Sequence, residues 1–523
     1  MTAFKALLAL CLPLIAAAVA AAPVRPMEGV SVSVATDAGR LQGREADGVR
    51  TFRGIPYAAA PVGALRWRPP QPPAPWSGTR PALKFGDDCL QHPLPVAIDP
   101  GSGQSMSEDC LYLNVWAPVG GARRLPVMVW IHGGGFVLGS GSLVASDGAA
   151  LARGGVVMVS LNYRLGRFGF FAHPALARDH PGDVTGNFGL MDQIAALKWV
   201  RRNIAAFGGD PARITIFGES AGGGSVLALM GSPMARGLFQ GAIVESGGGR
   251  DRLATLETAN HQSRAGYAAG AAFATKAGLK DPDAAQLRAL PAATVLGDLG
   301  FLNNTNRDDY AGMVIDGRVV TADPAAIFAR GGEAPVPLII GFNSSELGAL
   351  ASVTGPWTNF EAGRFGPHEA ALRGLYDPAG GESALRADFL SDLIFVEPAR
   401  FLAAAHARNG HPAWLYQFGY VGEAHRAGAP GAGHASEIPY VFDTIGTVDA
   451  KASAQDHAMA DSVSAYWAAF AKRGNPNEQG RPTWPRYNAA ADTLLDFTAV
   501  GPAPLTGRSR ARLDFLETYA TSP

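Results

Sequence analysis

The residues that decide the fold are Ile214-Thr215-Ile216-Phe217-Gly218-Glu219-Ser220-Ala221-Gly222-Gly223-Gly224. An apolar strand here runs directly into a Gly-x-Ser-x-Gly motif, and the next residues, 225–230, are compatible with a helix. Such a sharp strand-to-helix turn holds the serine at its apex, at a helix N-terminus that favours developing negative charge. The context predicts that Ser220 is a nucleophile. Without the strand and the helix, the same motif would be an ordinary glycine-rich turn.

Short apolar runs rich in β-branched residues recur on both sides of this stretch. They are residues 127–131, 156–161, 214–217, 243–244, 338–340 and 414–418. Runs without in–out alternation are typical of a parallel sheet covered on both faces. Apolar positions at helical spacing also predict a helix over 190–204. This order predicts an α/β fold with a central, mostly parallel twisted sheet flanked by helices.

The regions outside this sheet follow other patterns. Residues 30–34 alternate between polar and apolar, and glycines follow, which predicts a small N-terminal antiparallel ribbon. Two Ala-rich stretches, near 250–335 and 350–410, are expected to be large helical or irregular insertions that cap the site and select the substrate. No repeat or linker divides the chain, so residues 23–523 are expected to form a single domain.

The first 22 residues have the pattern of a cleaved secretory signal peptide. Lys5 precedes an apolar run that ends in small residues at Ala22. An uncleaved membrane anchor is the alternative, but the run is marginal for spanning a bilayer. We therefore expect a secreted or periplasmic protein without stable membrane association. Only Cys89 and Cys110 then remain, and an even pair in an exported protein predicts one disulfide, with two free thiols as the alternative.

The composition argues against a nucleic-acid partner. The 523 residues include 44 Lys or Arg and 45 Asp or Glu, a net charge of −1, whereas nucleic-acid binders usually carry a basic excess. Nothing in the sequence predicts an oligomeric state.

A second glycine-rich turn, His132-Gly133-Gly134-Gly135-Phe136, follows another predicted strand. Consecutive glycines let backbone N–H groups approach a substrate and stabilise the negative oxygen of a tetrahedral intermediate. We expect the N–H groups of Gly134 and Gly135 to form this oxyanion hole, with Ala221 as the third donor. The alternative is an ordinary turn. His132 is expected to brace the loop.

The base that activates the serine should follow Ser220, because in this architecture the order is serine, acid, histidine. His434 lies in a loop of small residues after the run 414–418, and His425 is the next candidate. His406 lies in a helix-like segment and is expected at the surface. The sequence pattern alone favours His434 without excluding His425.

The acid has two candidates. Glu346 comes just after the apolar run 338–340, where functional residues of open α/β sheets gather. Asp316 is the rival, although its surroundings are equally typical of a turn. The residues alone leave this choice open.

Taken together, these segments resemble the type-B carboxylesterase and cholinesterase family of α/β hydrolases over nearly all of the mature chain. The collinear motifs are Phe52–Ala58, Ser107–Asn114, Gly133–Phe136, Asn162–Arg164, Gly186–Gln193, Gly218–Gly223, His434–Phe442 and Trp484–Tyr487. The resemblance implies an α/β-hydrolase fold and a triad of Ser220, Glu346 and His434. It implies hydrolysis of small to medium carboxylic esters through an acyl-enzyme, without a metal or cofactor.

The resemblance also implies supporting contacts and reveals two departures. It pairs Cys89 with Cys110 and Arg66 with Glu108, and it places Glu219 and Ser246 beside the triad. The family's Asp-Glu-Gly acid motif is replaced by Ser345-Glu346-Leu347. The loop between the two cysteines has no aromatic residue, and cation recognition needs one, so the resemblance favours a general carboxylesterase over a choline-ester enzyme.

Two other functions are compatible with the same motifs. A lipase or polyester hydrolase acting at interfaces would use identical catalytic residues. A non-catalytic adhesion or binding relative is less favoured, because all three triad positions are occupied here.

Overall fold

A computed structural model describes residues 29–94, 101–250, 252–260, 264–304, 308–348, 368–376 and 387–521. The predicted signal peptide lies outside the described residues, as does much of the second predicted insertion. The strands are β1 (Val30–Ala35), β2 (Arg40–Ala46), β3 (Val49–Pro56), β4 (Thr79–Pro81), β5 (Asp88–Cys89), β6 (Met106–Ser107), β7 (Tyr112–Pro118), β8 (Leu125–Ile131), β9 (Val157–Leu161), β10 (Gly209–Glu219), β11 (Gly241–Glu245), β12 (Leu338–Asn343), β13 (Ala413–Phe418), β14 (Thr493–Thr498) and β15 (Gly501–Thr506).

Thirteen of these strands form one sheet in the described part of the chain. Its order is β1-β2-β3-β7-β9-β8-β10-β11-β12-β13-β14-β15, with β4 beside β2. The strands from β9 to β14 are parallel, whereas β1, β2, β3 and β7 pair antiparallel. The predicted parallel sheet and N-terminal ribbon are therefore both present.

Helices cover both faces of the sheet. The α-helices are Ala149–Arg153, Gly166–Gly169, Pro174–Asp179, Phe188–Asn203, Ala221–Gly231, Gly266–Lys276, Ala284–Arg288, Ala292–Leu296, Pro324–Ala329, Glu369–Tyr376, Glu397–Arg408, Ile438–Val441, Ile445–Val448, Ala454–Arg473 and Arg510–Thr521. The helix Phe188–Asn203, predicted over 190–204, buries Leu190 and Trp199 in one core. The helix Ala454–Arg473 buries Trp467 in the core on the other face.

Two neighbouring parallel strands, β10 and β11, end at the same level, and the next strand, β12, continues two residues further. Glu219 at the end of β10 pairs with Glu245 of β11, and Glu245 pairs with Gly341 of β12. Because the carboxyl ends of these strands share one edge, the segments that follow them are brought together. Ser220 and Ser246 are the first residues beyond β10 and β11.

The N-terminal region is braced internally by a disulfide and an ion pair, and a hydrogen bond joins it to a later part of the chain. Cys89 and Cys110 form a disulfide, as predicted. Arg66 and Glu108 form a two-point ion pair, with Nε to Oε2 at 2.7 Å and Nη2 to Oε1 at 2.5 Å. The Arg66 guanidinium also donates to the carbonyl of Leu290, which ties this region to the first capping insertion.

Across the described residues, no helix has the length and apolar content that a membrane span requires.

Candidate active site

Ser220 occupies a strained turn between β10 and the helix Ala221–Gly231. Its backbone has φ 55° and ψ −121°, a region that residues with a side chain rarely adopt. Its N–H donates to the carbonyl of Glu245 at 2.9 Å, which fastens the turn to β11. A Cβ added at Gly222 would lie 2.0 Å from the carbonyl oxygen of Ile131, so only glycine fits this close passage of helix and strand.

The loop after β8 lies beside Ser220. A Cβ added at Gly133 would lie 3.1 Å from the Ser220 Cβ. Among the described residues, the N–H groups of Gly134, Gly135 and Ala221 find no hydrogen-bond acceptor. Ala221 also begins a helix, whose N-terminal dipole favours an anion. These three N–H groups can therefore serve a negatively charged ligand atom.

His132 supports this loop by a hydrogen bond and a ring contact. It is buried, its Nδ1–H donates to the carbonyl of Gly133 at 2.9 Å, and its ring stacks on Tyr163 with centroids 4.4 Å apart. Burial lowers the pKa of His132 to about 4. A neutral, buried imidazole in these contacts fits the bracing role expected from the sequence.

His434 and Glu346 are in direct contact. Nδ1 of His434 lies 2.7 Å from Oε2 of Glu346, and the backbone N–H of His434 donates to the Glu346 carbonyl at 3.1 Å. The ring of Phe395 packs on the imidazole with centroids 4.8 Å apart. The imidazole is therefore held in place by its Nδ1 side and by one ring face.

The Glu346 carboxylate is fixed by two further donors. Oε1 accepts hydrogen bonds from the Ser246 hydroxyl at 2.6 Å and from the Asn343 N–H at 2.7 Å. After this residue, the Leu347 N–H donates to the Ser391 hydroxyl at 3.1 Å. A contact from a distant segment thus supports the turn in which Leu347 replaces the family's glycine.

The rival candidates lie in other surroundings. Asp316 caps a turn, accepting hydrogen bonds from the Asn187 side chain and from the N–H groups of Arg318 and Val319. His425 pairs with Asp449 at 2.8 Å.

The Ser220 hydroxyl and the His434 ring are not joined by a hydrogen bond in the described structure. Nε2 of His434 lies instead 3.1 Å from Oε1 of Glu219, the residue before the serine. Hydrogen bonds between catalytic groups are often long or misaligned when no substrate is bound. The imidazole therefore faces the end of β10, with its second nitrogen towards a carboxylate.

Buried carboxyl groups surround this imidazole. Burial raises the pKa of Glu219 to about 8, although His434 opposes the shift. Burial also raises the pKa of Glu437 to about 7, with a further contribution from Glu346. For His434, burial lowers the pKa, but the nearby Glu219 and Glu346 outweigh it and raise the value to about 10. Each carboxylate thus stabilises a protonated imidazole.

Three residues of this site were given no role by the sequence analysis. Glu245 is buried beside the turn that holds Ser220 and accepts a 2.8 Å hydrogen bond from the indole N–H of Trp467. Glu437 accepts from the side-chain amide of Asn343 at 2.5 Å. Phe395 lies on a π-helical turn, Asp392–Val396. The position of Glu437, three residues after His434, is a weak sequence signal that it belongs to the site. Glu245 and Phe395 carry no such signal, because the residues around them have the pattern of any buried strand or helix.

Within the described residues, no group of three or more His, Cys, Asp or Glu side chains is arranged to hold a metal ion.

Comparison with known proteins gives a consistent picture. A family model described as the Carboxylesterase family matches residues 30–362 and 382–509. The fumonisin B1 esterase of Sphingopyxis macrogoltabida is 37% identical over 500 residues, covering 91% of this chain and 88% of that protein. The para-nitrobenzyl esterase of Bacillus subtilis is 37% identical over 482 residues, covering 88% and 94%. The solved structure of the Geobacillus stearothermophilus carboxylesterase EST55 aligns with a TM-score of 0.78 and 34% identity, covering 92% of this chain and 99% of the other.

Proposed function

Because this chain belongs to the carboxylesterase family and is a carboxylic ester hydrolase with the α/β-hydrolase fold, we propose that it acts through Ser220, His434 and Glu346. Ser220 is the nucleophile, His434 the general base and acid, and Glu346 the group that orients the imidazole. The N–H groups of Gly134, Gly135 and Ala221 form the oxyanion hole in this proposal.

The contact that carries the proposal is the 2.7 Å distance between Nδ1 of His434 and Oε2 of Glu346. An imidazole that donates from Nδ1 to a carboxylate keeps a lone pair on Nε2 in its neutral form, as a general base requires. That Nε2 faces the residue adjoining Ser220. A small movement of the ring away from Glu219 would present the lone pair to the serine hydroxyl.

The reaction then proceeds in two acyl-transfer steps. The Ser220 oxygen bonds to the ester carbonyl carbon while Nε2 of His434 takes its proton, and the three N–H groups hold the resulting oxyanion. The tetrahedral intermediate collapses, and the alcohol leaves with the proton from His434. Water attacks the acyl-enzyme in the same way and releases the acid. Glu346 remains ionised throughout.

The substrate is proposed to be a small to medium carboxylic ester with apolar groups. Three partly buried phenylalanines lie near the proposed site: Phe395 packs on His434, Phe301 lies close to Gly135, and Phe136 follows that glycine in the oxyanion loop. Apolar side chains of this kind favour hydrocarbon acyl or alcohol groups. An interfacial lipase would instead show a rate of ester hydrolysis that rises sharply once the substrate concentration exceeds the solubility limit.

The decisive experiment compares Ser220→Ala with Ser77→Ala, which alters an exposed serine just before β4, a strand that pairs with β2 and not with β10, β11 or β12. With 4-nitrophenyl butyrate we expect Ser220→Ala to lose at least about 10³-fold in kcat, while Ser77→Ala keeps the parent rate. An organophosphate should add one phosphoryl group to the parent, on the peptide that contains residue 220. Near-parent turnover by folded Ser220→Ala would refute the assignment.

We also propose that the protein is exported after removal of residues 1–22. The charged and apolar pattern of that segment supports this proposal, as does a disulfide elsewhere in the chain. The mass of the protein recovered from the periplasm or medium of the expressing cells tests it, because a retained leader would add the mass of those residues.

A further inference from the structure

The carbonyl groups of the proposed oxyanion loop all point to hydrogen-bond donors. The Gly133 carbonyl accepts from the His132 ring at 2.9 Å. The Gly134 carbonyl accepts at 3.1 and 3.0 Å from two N–H groups later in the loop, and the Phe136 carbonyl accepts at 2.7 Å from Gly166. These three carbonyls are therefore fixed by the loop itself and by the segment after β9.

The carbonyl of Gly135 is bonded differently from the other three carbonyls. It accepts a 3.2 Å hydrogen bond from the side-chain amide of Asn304, which belongs to the first capping insertion, more than 160 residues further along the chain. The two groups are also in close steric contact, since a Cβ added at Gly135 would lie 2.8 Å from Nδ2 of Asn304. The insertion thus reaches the loop through one polar side chain.

The turn that precedes Asn304 has a capping hydrogen bond of its own. It is a 3₁₀ turn, Phe301–Asn303. The Asn303 side chain caps this turn, because its Oδ1 accepts from the Gly300 N–H at 2.7 Å. The Phe301 ring lies 3.3 Å from the position of a Cβ at Gly135. Asn304 therefore follows directly after a capped turn that lies close to Gly135.

Gly135 depends on this restraint because the hydrogen bond found at its carbonyl comes from Asn304 and not from the loop itself. Its φ is +61°, and glycine has access to conformations on both sides of the φ map. Rotation of the peptide after Gly135 would release its carbonyl from the present direction. A carbonyl oxygen turned towards the substrate would oppose the negative charge that the N–H groups are there to stabilise.

We infer that Asn304 is a positioning residue for the oxyanion hole, which holds the Gly135 carbonyl away from the reacting oxygen and so links the capping insertion to catalysis. This inference rests on the proposed function of the Gly134 and Gly135 N–H groups. Asn304 does not touch the reacting atoms in this account; it acts through the backbone of Gly135.

The test uses Asn304→Ala, Asn304→Asp and Asn304→Gln, with Leu302→Ala as the matched control, since Leu302 is exposed on the same turn. Each variant is measured for kcat and KM with 4-nitrophenyl butyrate and for inhibition by an alkyl trifluoromethyl ketone, which forms a tetrahedral oxyanion on the nucleophile. The trifluoromethyl ketone is the key probe, because a general loss of structure would not weaken its binding in proportion to kcat.

We expect Asn304→Ala to lower kcat about tenfold, less than the ~10²–10³ for removal of a donor, with KM within about twofold and the inhibition constant raised in parallel with kcat. Asn304→Asp should be worse, because its carboxylate cannot donate and faces a carbonyl. Asn304→Gln should recover part of the loss. Parent-like kinetics in Asn304→Ala, or a fall in kcat with unchanged inhibition, would overturn the inference. Full activity in Ser220→Ala, run alongside, would instead overturn the proposed function.

Discussion

Nε2 of His434 lies 3.1 Å from Oε1 of Glu219, so the proposed base shares its second nitrogen with the residue that precedes the nucleophile. The two buried groups titrate as a pair, because the charge of each stabilises the charge of the other. Together with burial and Glu346, this contact contributes to the pH at which the imidazole becomes neutral.

Glu219→Gln should therefore move the acid limb of the pH profile. Burial lowers the pKa of His434, while the carboxylates of Glu219 and Glu346 raise it to about 10. Removing the Glu219 charge lowers that pKa, so the neutral base should persist to lower pH and the acid limb of kcat/KM should shift downwards. Glu423→Gln, at an exposed position, is the control and should leave the profile in place. An unmoved or upward-shifted limb in Glu219→Gln would contradict this view.

The glycines after the strand-to-helix turn at Ser220 predict different effects on stability for two nearby substitutions. Gly222→Ala would place a Cβ 2.0 Å from the Ile131 carbonyl oxygen, whereas the nearest atom to a Cβ at Gly224 is 3.5 Å away. We expect Gly222→Ala to lose about 3 kcal/mol or more of stability together with most of its activity. Gly224→Ala should be neutral or slightly stabilising, because alanine favours the helix. Thermal unfolding and ester hydrolysis measure both, and equal behaviour of the two variants would refute the close-passage argument.

The buried ion pair of Arg164 and Asp192 predicts a large loss of stability. The two side chains are bonded at two points, 2.8 and 2.7 Å, and both are almost fully buried. Asp192→Asn should destabilise the protein by about 3–5 kcal/mol, since it leaves a buried guanidinium without its counter-charge. The exposed pair of Arg202 and Asp37 provides the control, and Asp37→Asn should change stability by less than ~1 kcal/mol. Denaturant unfolding followed by fluorescence would reveal the difference.

The disulfide predicts an effect on stability without one on chemistry. Cys89 and Cys110 are 21 residues apart, a loop whose closure contributes about 3 kcal/mol in the chain-entropy account. The Cys89→Ser/Cys110→Ser variant should unfold at a lower temperature yet retain the parent kcat at 25 °C. A large fall in kcat in the folded variant would show that this loop shapes the site directly.

The strand-to-helix turn at Ser220 and the glycine-rich loop after β8 could be predicted because their signals are local. An apolar strand, a glycine-rich turn and a helix are contiguous at Ser220, and the same holds around Gly134. The choice between Glu346 and Asp316 is of another kind, since both follow apolar residues in the sequence. The local pattern does not separate them; the family resemblance favours Glu346, and in the structure the Glu346 carboxylate contacts His434 whereas the Asp316 carboxylate lies in a turn.

The surface position predicted for His406 was wrong for the same reason. The residue is fully buried, with Nδ1 3.0 Å from Glu333 and Nε2 2.8 Å from the Val336 carbonyl. Its helix packs this face against a segment some 70 residues earlier in the chain. Helical periodicity could not reveal that partner, because a polar residue that finds buried partners looks like one that faces water.

The neighbouring carboxyl ends of β10, β11 and β12 give the proposed site an asymmetric construction. Ser220 and Ser246 are anchored through backbone hydrogen bonds to the adjoining strands, at 2.9 Å in both cases. His434, by contrast, lies in a loop after β13. Because the His434 backbone is itself bonded to the Glu346 carbonyl, an adjustment that brings the Ser220 hydroxyl and the imidazole to hydrogen-bonding distance is expected to come from rotation of these two side chains, with both backbones held in place.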